Sequence, residues 1–162
     1  MTATKETVSH YAGLLIGDAE LNARALYLRH AASTLRVRSN STALLDRLAR
    51  YFSHVSVAAT DTDMDVIAID RATLELDIDF IDWRREPGKA GRKDSYVDLE
   101  GGRLLRKVRT GMVFLQSEDK RIAVGPCLRH DNQLINFTNS QFMNRLQQDG
   151  WLRCRAAALV KG

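Results

Sequence analysis

From residue 26 to residue 38 apolar and polar side chains alternate: Leu26, Leu28, Leu35 and Val37 stand against Tyr27, Arg29, Arg36 and Arg38, with Ala31, Ala32 and Ser33 between the two runs. A period of two with a short interruption predicts two strands paired as a hairpin. Upstream, Val8, Tyr11, Leu14 and Leu15 fall at helical spacing behind a threonine cap and Glu6, which predicts a short helix within 4–16. Downstream, Asn40 or Ser41 offers a cap, and Leu44, Leu45, Leu48, Tyr51 and Phe52 form an apolar stripe of helical period.

The middle of the chain reads as strands. Val66, Ile67 and Ile69 make one short apolar run, and Leu76, Ile78 and Phe80 alternate with Glu75, Asp77 and Asp79, giving one buried and one acidic face. The stretch 84–95 places Pro87, Gly88 and Gly91 among charges with no apolar anchor. It therefore reads as a mobile loop that trypsin should cut first. Beyond it, the runs 96–99, 104–108, 112–115 and 122–124, separated by turn residues, predict an antiparallel meander. Asp131 or Asn132 can cap a helix with Leu134, Ile135, Phe142, Met143 and Leu146 on its apolar side, ending at Asp149 and Gly150. The alternation of Leu152, Cys154, Ala156, Ala158 and Val160 predicts a last strand. The class this pattern predicts is α+β, a mostly antiparallel sheet with about three helices.

The formal charge of +4 changes the picture only through its distribution: residues 1–50 carry +3, 51–100 carry −6 and 101–162 carry +7. An acidic middle and a basic end predict two surfaces of opposite sign that attract each other. No apolar segment has signal-peptide or membrane-spanning length, and Cys127 and Cys154 stand apart from each other and from ligand-spaced histidines. A cytoplasmic protein without zinc or a disulfide framework is the expectation.

Candidate chemistry is sparse. Asp61, Asp63 and Asp65 resemble the opening of a calcium loop, but Val66 stands where that loop needs Gly and Ala72 where it needs Glu, so a solvated turn is the better reading. Arg103, Arg106, Lys107 and Arg109 concentrate positive charge on one strand and are the candidate contacts for phosphate or a partner. No aromatic residue interleaves with them in sequence, so nucleic-acid binding ranks behind a solvated strand edge. His10, His30, His54 and His130 stand singly, and neither GxGxxG nor GxxxxGK followed by Ser or Thr occurs. No catalytic, cofactor-binding or metal-binding residue is assigned.

The segments VRTGMVFL and RIAVGPCLRHDNQLINFTNSQFMNRLQQDGWLRCRAAALV, together with TLRVRSNSTALLDRLARYF, resemble the HPr kinase-related kinase B family, most specifically over 111–157. Members of that family are similar to the bacterial HPr kinase/phosphorylase, in which an N-terminal α+β portion precedes a kinase core with a Walker A loop. The resemblance implies an N-terminal portion at 1–110 and the start of a kinase-like core at 111–162. The strand carrying Trp151, Cys154, Ala156 and Ala157 would lead into the phosphate loop beyond Gly162. It implies ATP and Mg²⁺ for the full-length family but none for this stretch, whose Lys, hydroxyl and amide cradle would lie further on. Arg155 stands where family members commonly carry His, so no family catalytic residue transfers.

The expectation is a non-catalytic N-terminal region of a serine kinase-like protein, partnered by its kinase core, with self-association through 151–160 where that core is lacking. The alternatives are a stand-alone protein-binding module and, behind it, nucleic-acid binding through 103–109.

Overall fold

The computed structural model describes residues 7–84, 87–89 and 94–150. Thr7 Oγ1 accepts the His10 amide at 3.2 Å and opens helix α1, Val8–Ile16. Its buried residues Val8, Tyr11, Ala12 and Leu15 share one side, the i, i+3, i+4, i+7 spacing of a helix lying on a core. Strands β1, Leu26–His30, and β2, Ser33–Ser39, form the expected hairpin, with Ala31 at φ 53° in its two-residue turn. Ser41 Oγ accepts the Leu44 amide at 3.2 Å and starts α2, Thr42–Tyr51.

The chain continues through β3, Ser56–Val57, β4, Met64–Asp70, and β5, Ile81–Asp82. It then runs through the meander β6, Ser95–Leu99, β7, Gly102–Arg106, β8, Val113–Ser117, and β9, Arg121–Gly125, before helix α3, Asp131–Gln148. All nine strands form one sheet in the order β3-β1-β2-β4-β9-β8-β7-β6-β5. Only the pairs β2/β4 and β4/β9 are parallel. The fold is α+β with three helices and a mostly antiparallel mixed sheet.

Alternation along the strands sends side chains to two cores. On one face Leu35, Val37, Val66, Phe114 and Ala123 pack with Leu44, Leu45 and Leu48 of α2 and with Leu134, Phe137 and Phe142 of α3. On the other, Ile69, Leu104, Leu115, Ile122 and Val124 pack with Tyr11 and Leu15 of α1. Asp70 Oδ1 accepts the Leu128 amide at 3.1 Å, and Arg47 Nη1 donates to the Leu128 carbonyl at 2.7 Å, so the turn before α3 is tied to both β4 and α2.

Two expectations need restating. The alternating segment 76–80 is not a strand: Leu74, Leu76, Ile78 and Phe80 lie against the second core without joining a ladder, and only Ile81–Asp82 pairs, with β6. Alternation reports one buried side, which a segment laid across a sheet satisfies as well as a segment inside it. Helix α3 starts one or two residues earlier than a cap at Asp131 or Asn132 predicts, with His130 at the cap position and no side-chain cap. Asp131 sits instead in the first turn, 3.6 Å from Arg47 and favourable to the helix dipole. The meander expected from residue 96 onward forms as read, the strands on either side of residue 110 pairing as one hairpin with Arg106 opposite Val113. The predicted last strand at 151–160 and half of the predicted mobile loop, 85–86 and 90–93, lie outside the described residues.

Candidate functional site

The four basic residues singled out on 103–109 do not form one row. Residues 103 and 106 project to opposite faces of β7, as the pairing and the Leu104 and Leu105 contacts require. On the α3 side, Arg103 Nε bonds Asp98 Oδ1 at 2.7 Å, and its guanidinium carbon lies 4.8 Å from the ring centre of Tyr96 and 5.5 Å from that of Trp83. On the α1 side, Arg106 stacks 4.2 Å over Phe80 and donates from Nε to Ser95 Oγ at 3.2 Å. Lys107 Nζ bonds Asp94 Oδ2 at 2.5 Å, and Arg109 is exposed in the turn that follows. Much of the positive charge of this strand is therefore answered locally by Asp98 and Asp94.

Aromatic neighbours do flank Arg103, but they come from β6 and from the residue that follows β5 rather than from β7 itself. Trp83 and Tyr96 sit edge to face at 5.0 Å, and Ile81, paired with Tyr96, and Trp83 remain 54% and 40% exposed. These residues were missed because the interleaving exists across strands, where no sequence window records it.

A second charged cluster lies on β2 and β4. Asp65 accepts from Arg36 Nε at 2.8 Å and from Arg38 Nη2, two arginines that alternate on β2 and flank it across the parallel pair. Burial alone would raise the Asp65 carboxyl, but the hydrogen bonds from Arg38 and Arg36 outweigh it and hold the group below its ordinary value. Asp63 Oδ2 accepts from the Thr34 amide at 3.0 Å, and the Asp63 amide donates to Thr34 Oγ1 at 3.1 Å. The carboxylates of Asp63 and Asp65, singled out as a calcium-like series with Asp61, thus tie β2 to β4 and to the residues leading into it. Among the described residues no three His, Cys, Asp or Glu side chains converge as metal ligands would.

Arg121 and Arg145 form the third basic group, at the far end of α3, where a groove of about 790 Å³ opens between that helix and the ends of β8 and β9. Sequence reading passed over both, because Arg121 begins a strand and Arg145 sits on the last turn of a helix, positions where arginine is unremarked. His30 and His54 line a smaller hollow of about 300 Å³ with Phe52 and Phe142, and Cys127 is fully buried, its thiol pointing to the Ile69 carbonyl at 3.4 Å. Among the described residues no helix is long and apolar enough to cross a membrane.

Comparison of the chain with family models, with curated proteins and with solved structures returns no match.

Proposed function

We propose that this chain is the non-catalytic N-terminal region of an HPr kinase-related, serine kinase-like protein, acting in a bacterial cytoplasm beside a kinase core that binds ATP and Mg²⁺. The observation that supports the reading is the way the resembling segments assemble. The stretches 34–52 and 111–150 lie far apart in the chain, yet they meet as one packed unit. Leu44, Leu45, Leu48 and Phe52 share a core with Phe114, Leu134, Ile135 and Phe142. Arg47 reaches from the first stretch to the carbonyl of Leu128 in the second. A resemblance spread over unrelated surface pieces would have no reason to select such a unit.

The chemistry assigned to this region is support, not transfer. The 162 residues contain no GxxxxGK[ST] segment, and a phosphoryl-transfer site needs that cradle of amides, its lysine and its Mg²⁺-holding hydroxyl. In this reading the partner is the kinase core, and residues 151–160 associate with each other when that core is not supplied.

The test is calorimetry with Mg-ATP on this chain and on the polypeptide obtained by reading on past codon 162. Silence from the first and micromolar affinity from the second support the reading. Micromolar affinity in the 162-residue chain, or no nucleotide binding by the longer one, overturns it.

A further inference from the structure

The end of α3 and the start of β9 hold two arginines in an arrangement that the fold does not use. Arg121 Nε donates to Gln141 Oε1 at 3.1 Å, and Nη2 donates to the Glu118 carbonyl at 2.9 Å. Both acceptors are neutral. Among the described residues no carboxylate lies within ion-pair distance of Arg121, and its three other N–H groups have no protein acceptor. Among the described residues no buried polar side-chain atom is left without a partner, so these N–H groups are not enclosed, and Arg121 lines the groove. Arg145 lines the same groove, and among the described residues its ion-pair contact is a long 3.9 Å one to Asp149 one turn on.

The arginine is aimed by a buried amide. Gln141, 1% exposed, exchanges two hydrogen bonds with Gln116, at 3.0 and 3.1 Å, and donates to the Phe137 carbonyl at 3.0 Å. Its carbonyl oxygen therefore has one fixed direction in which to receive Arg121 Nε, and the plane of the guanidinium is set before any ligand arrives. Burial, and then the charge of Arg145, both disfavour the cationic form of Arg121. The carboxylates of Asp119, Asp65 and Glu118 offset this only in part, from beyond contact. The pair carries more positive charge than its surroundings neutralise.

We propose that this groove binds a small polar molecule bearing an oxyanion, a phosphate or a carboxylate, held between Arg121 and Arg145. A guanidinium with a preset plane and free N–H groups matches the two oxygens of such a group, and a second guanidinium adds charge without adding a competing acceptor. The remaining wall is amide-rich, Asn144 and Gln148 joining Gln116 and Gln141, and so suits the hydroxyl or amide part of a polar ligand. At about 790 Å³ the groove has the size of an ordinary small-molecule site. Glu118 also lines it and repels a second negative charge, which favours a ligand with one anionic group directed inward.

Inorganic phosphate and acetate, titrated separately into the full chain at constant ionic strength with sodium chloride as control, test this by amide resonance shifts in NMR. The expected result is saturable, millimolar binding of at least one probe, with shifts centred on Arg121, Gln141 and Arg145, weakened at least about 10-fold in both Arg121→Gln and Arg145→Gln. Arg145 is 42% exposed on the last turns of α3, so its variant keeps the test valid if the Arg121 change disturbs folding. The two probes separate a phosphate site from a carboxylate site. Shifts that chloride reproduces, that never saturate, or that persist in the Arg145→Gln variant overturn the proposal.

Discussion

Arg36 and Asp65 are register partners on the parallel strands β2 and β4, and their side chains meet with Nε 2.8 Å from Oδ1. Arg38, two residues on, binds the other oxygen of the same carboxylate, so one half-buried acid serves two cations. Asp65→Asn removes the charge and leaves Arg36 and Arg38 facing each other. The expected cost at pH 7 is about 1–2 kcal/mol, reduced from the value for a buried pair because all three side chains keep some contact with water. The folded-state pKa is depressed, so the stabilisation is complete above the unfolded value of about 4 and is lost as pH falls through the folded one. Urea midpoints of the two forms should therefore differ less at pH 3 than at pH 7. An equal gap at both would show that the carboxylate charge contributes nothing.

Gly111 occupies φ +74° in the connection from β7 to β8, where its N–H bonds the Lys107 carbonyl at 2.8 Å. A Cβ there would come within 2.7 Å of Thr73 Cγ2 and 3.1 Å of Thr73 Cβ. Gly111→Ala thus meets both an unfavourable backbone region and a neighbour, and a loss of about 2 kcal/mol or more is expected by chemical denaturation. Adding Thr73→Gly should recover the steric share and leave the conformational share, so a full recovery would mean that the left-handed φ costs nothing.

The local elements were legible because each has a local cause. The Ser41 cap and the Leu44, Leu45, Leu48 stripe mark α2, and the alternation across 26–38 marks the first hairpin. What could not be read was everything set by pairing between distant strands. Nothing in β2 or β4 alone says that Arg36, Arg38 and Asp65 converge, since parallel register depends on the crossover between them. The same holds for Trp83 and Tyr96 beside Arg103, and for Gln116 from β8, Gln141 from α3 and Arg121 from β9, which meet around one groove. The segment 74–80 misled for the opposite reason: its alternation is real, but it records packing across the sheet and not membership of it.

Cys127 is 0% exposed, and burial, followed by the nearby charge of Asp70, pushes its thiol up to about 12. The reactive form is the thiolate, which is then scarce at neutral pH as well as shielded. In a Cys154→Ser background, disulfide-exchange labelling of the native chain at pH 8 should run at least roughly 100-fold slower than in denaturant. Rapid native labelling would place this thiol at the surface and contradict the packing of the turn before α3.

Leu14 and Leu48 carry the same side chain on two helices, and the fold treats them in opposite ways. Leu48 is 0% exposed, enclosed by α2, the sheet and α3 in a core that also holds Leu35, Val37 and Leu134. Leu14 is 47% exposed, although the sequence pattern groups it with the buried face of α1. Leu48→Ala opens a cavity among core side chains carried by the sheet and by α3, so the expected loss is about 3 kcal/mol. Leu14→Ala removes apolar surface already half in water and substitutes the best helix former, so a change within about 0.5 kcal/mol is expected. Urea unfolding of both variants, with m-values checked against the parent, measures the contrast directly. Comparable losses would mean that the outer side of α1 is covered in solution, and that the half-exposure of Leu14 misstates which face of this helix meets the rest of the chain.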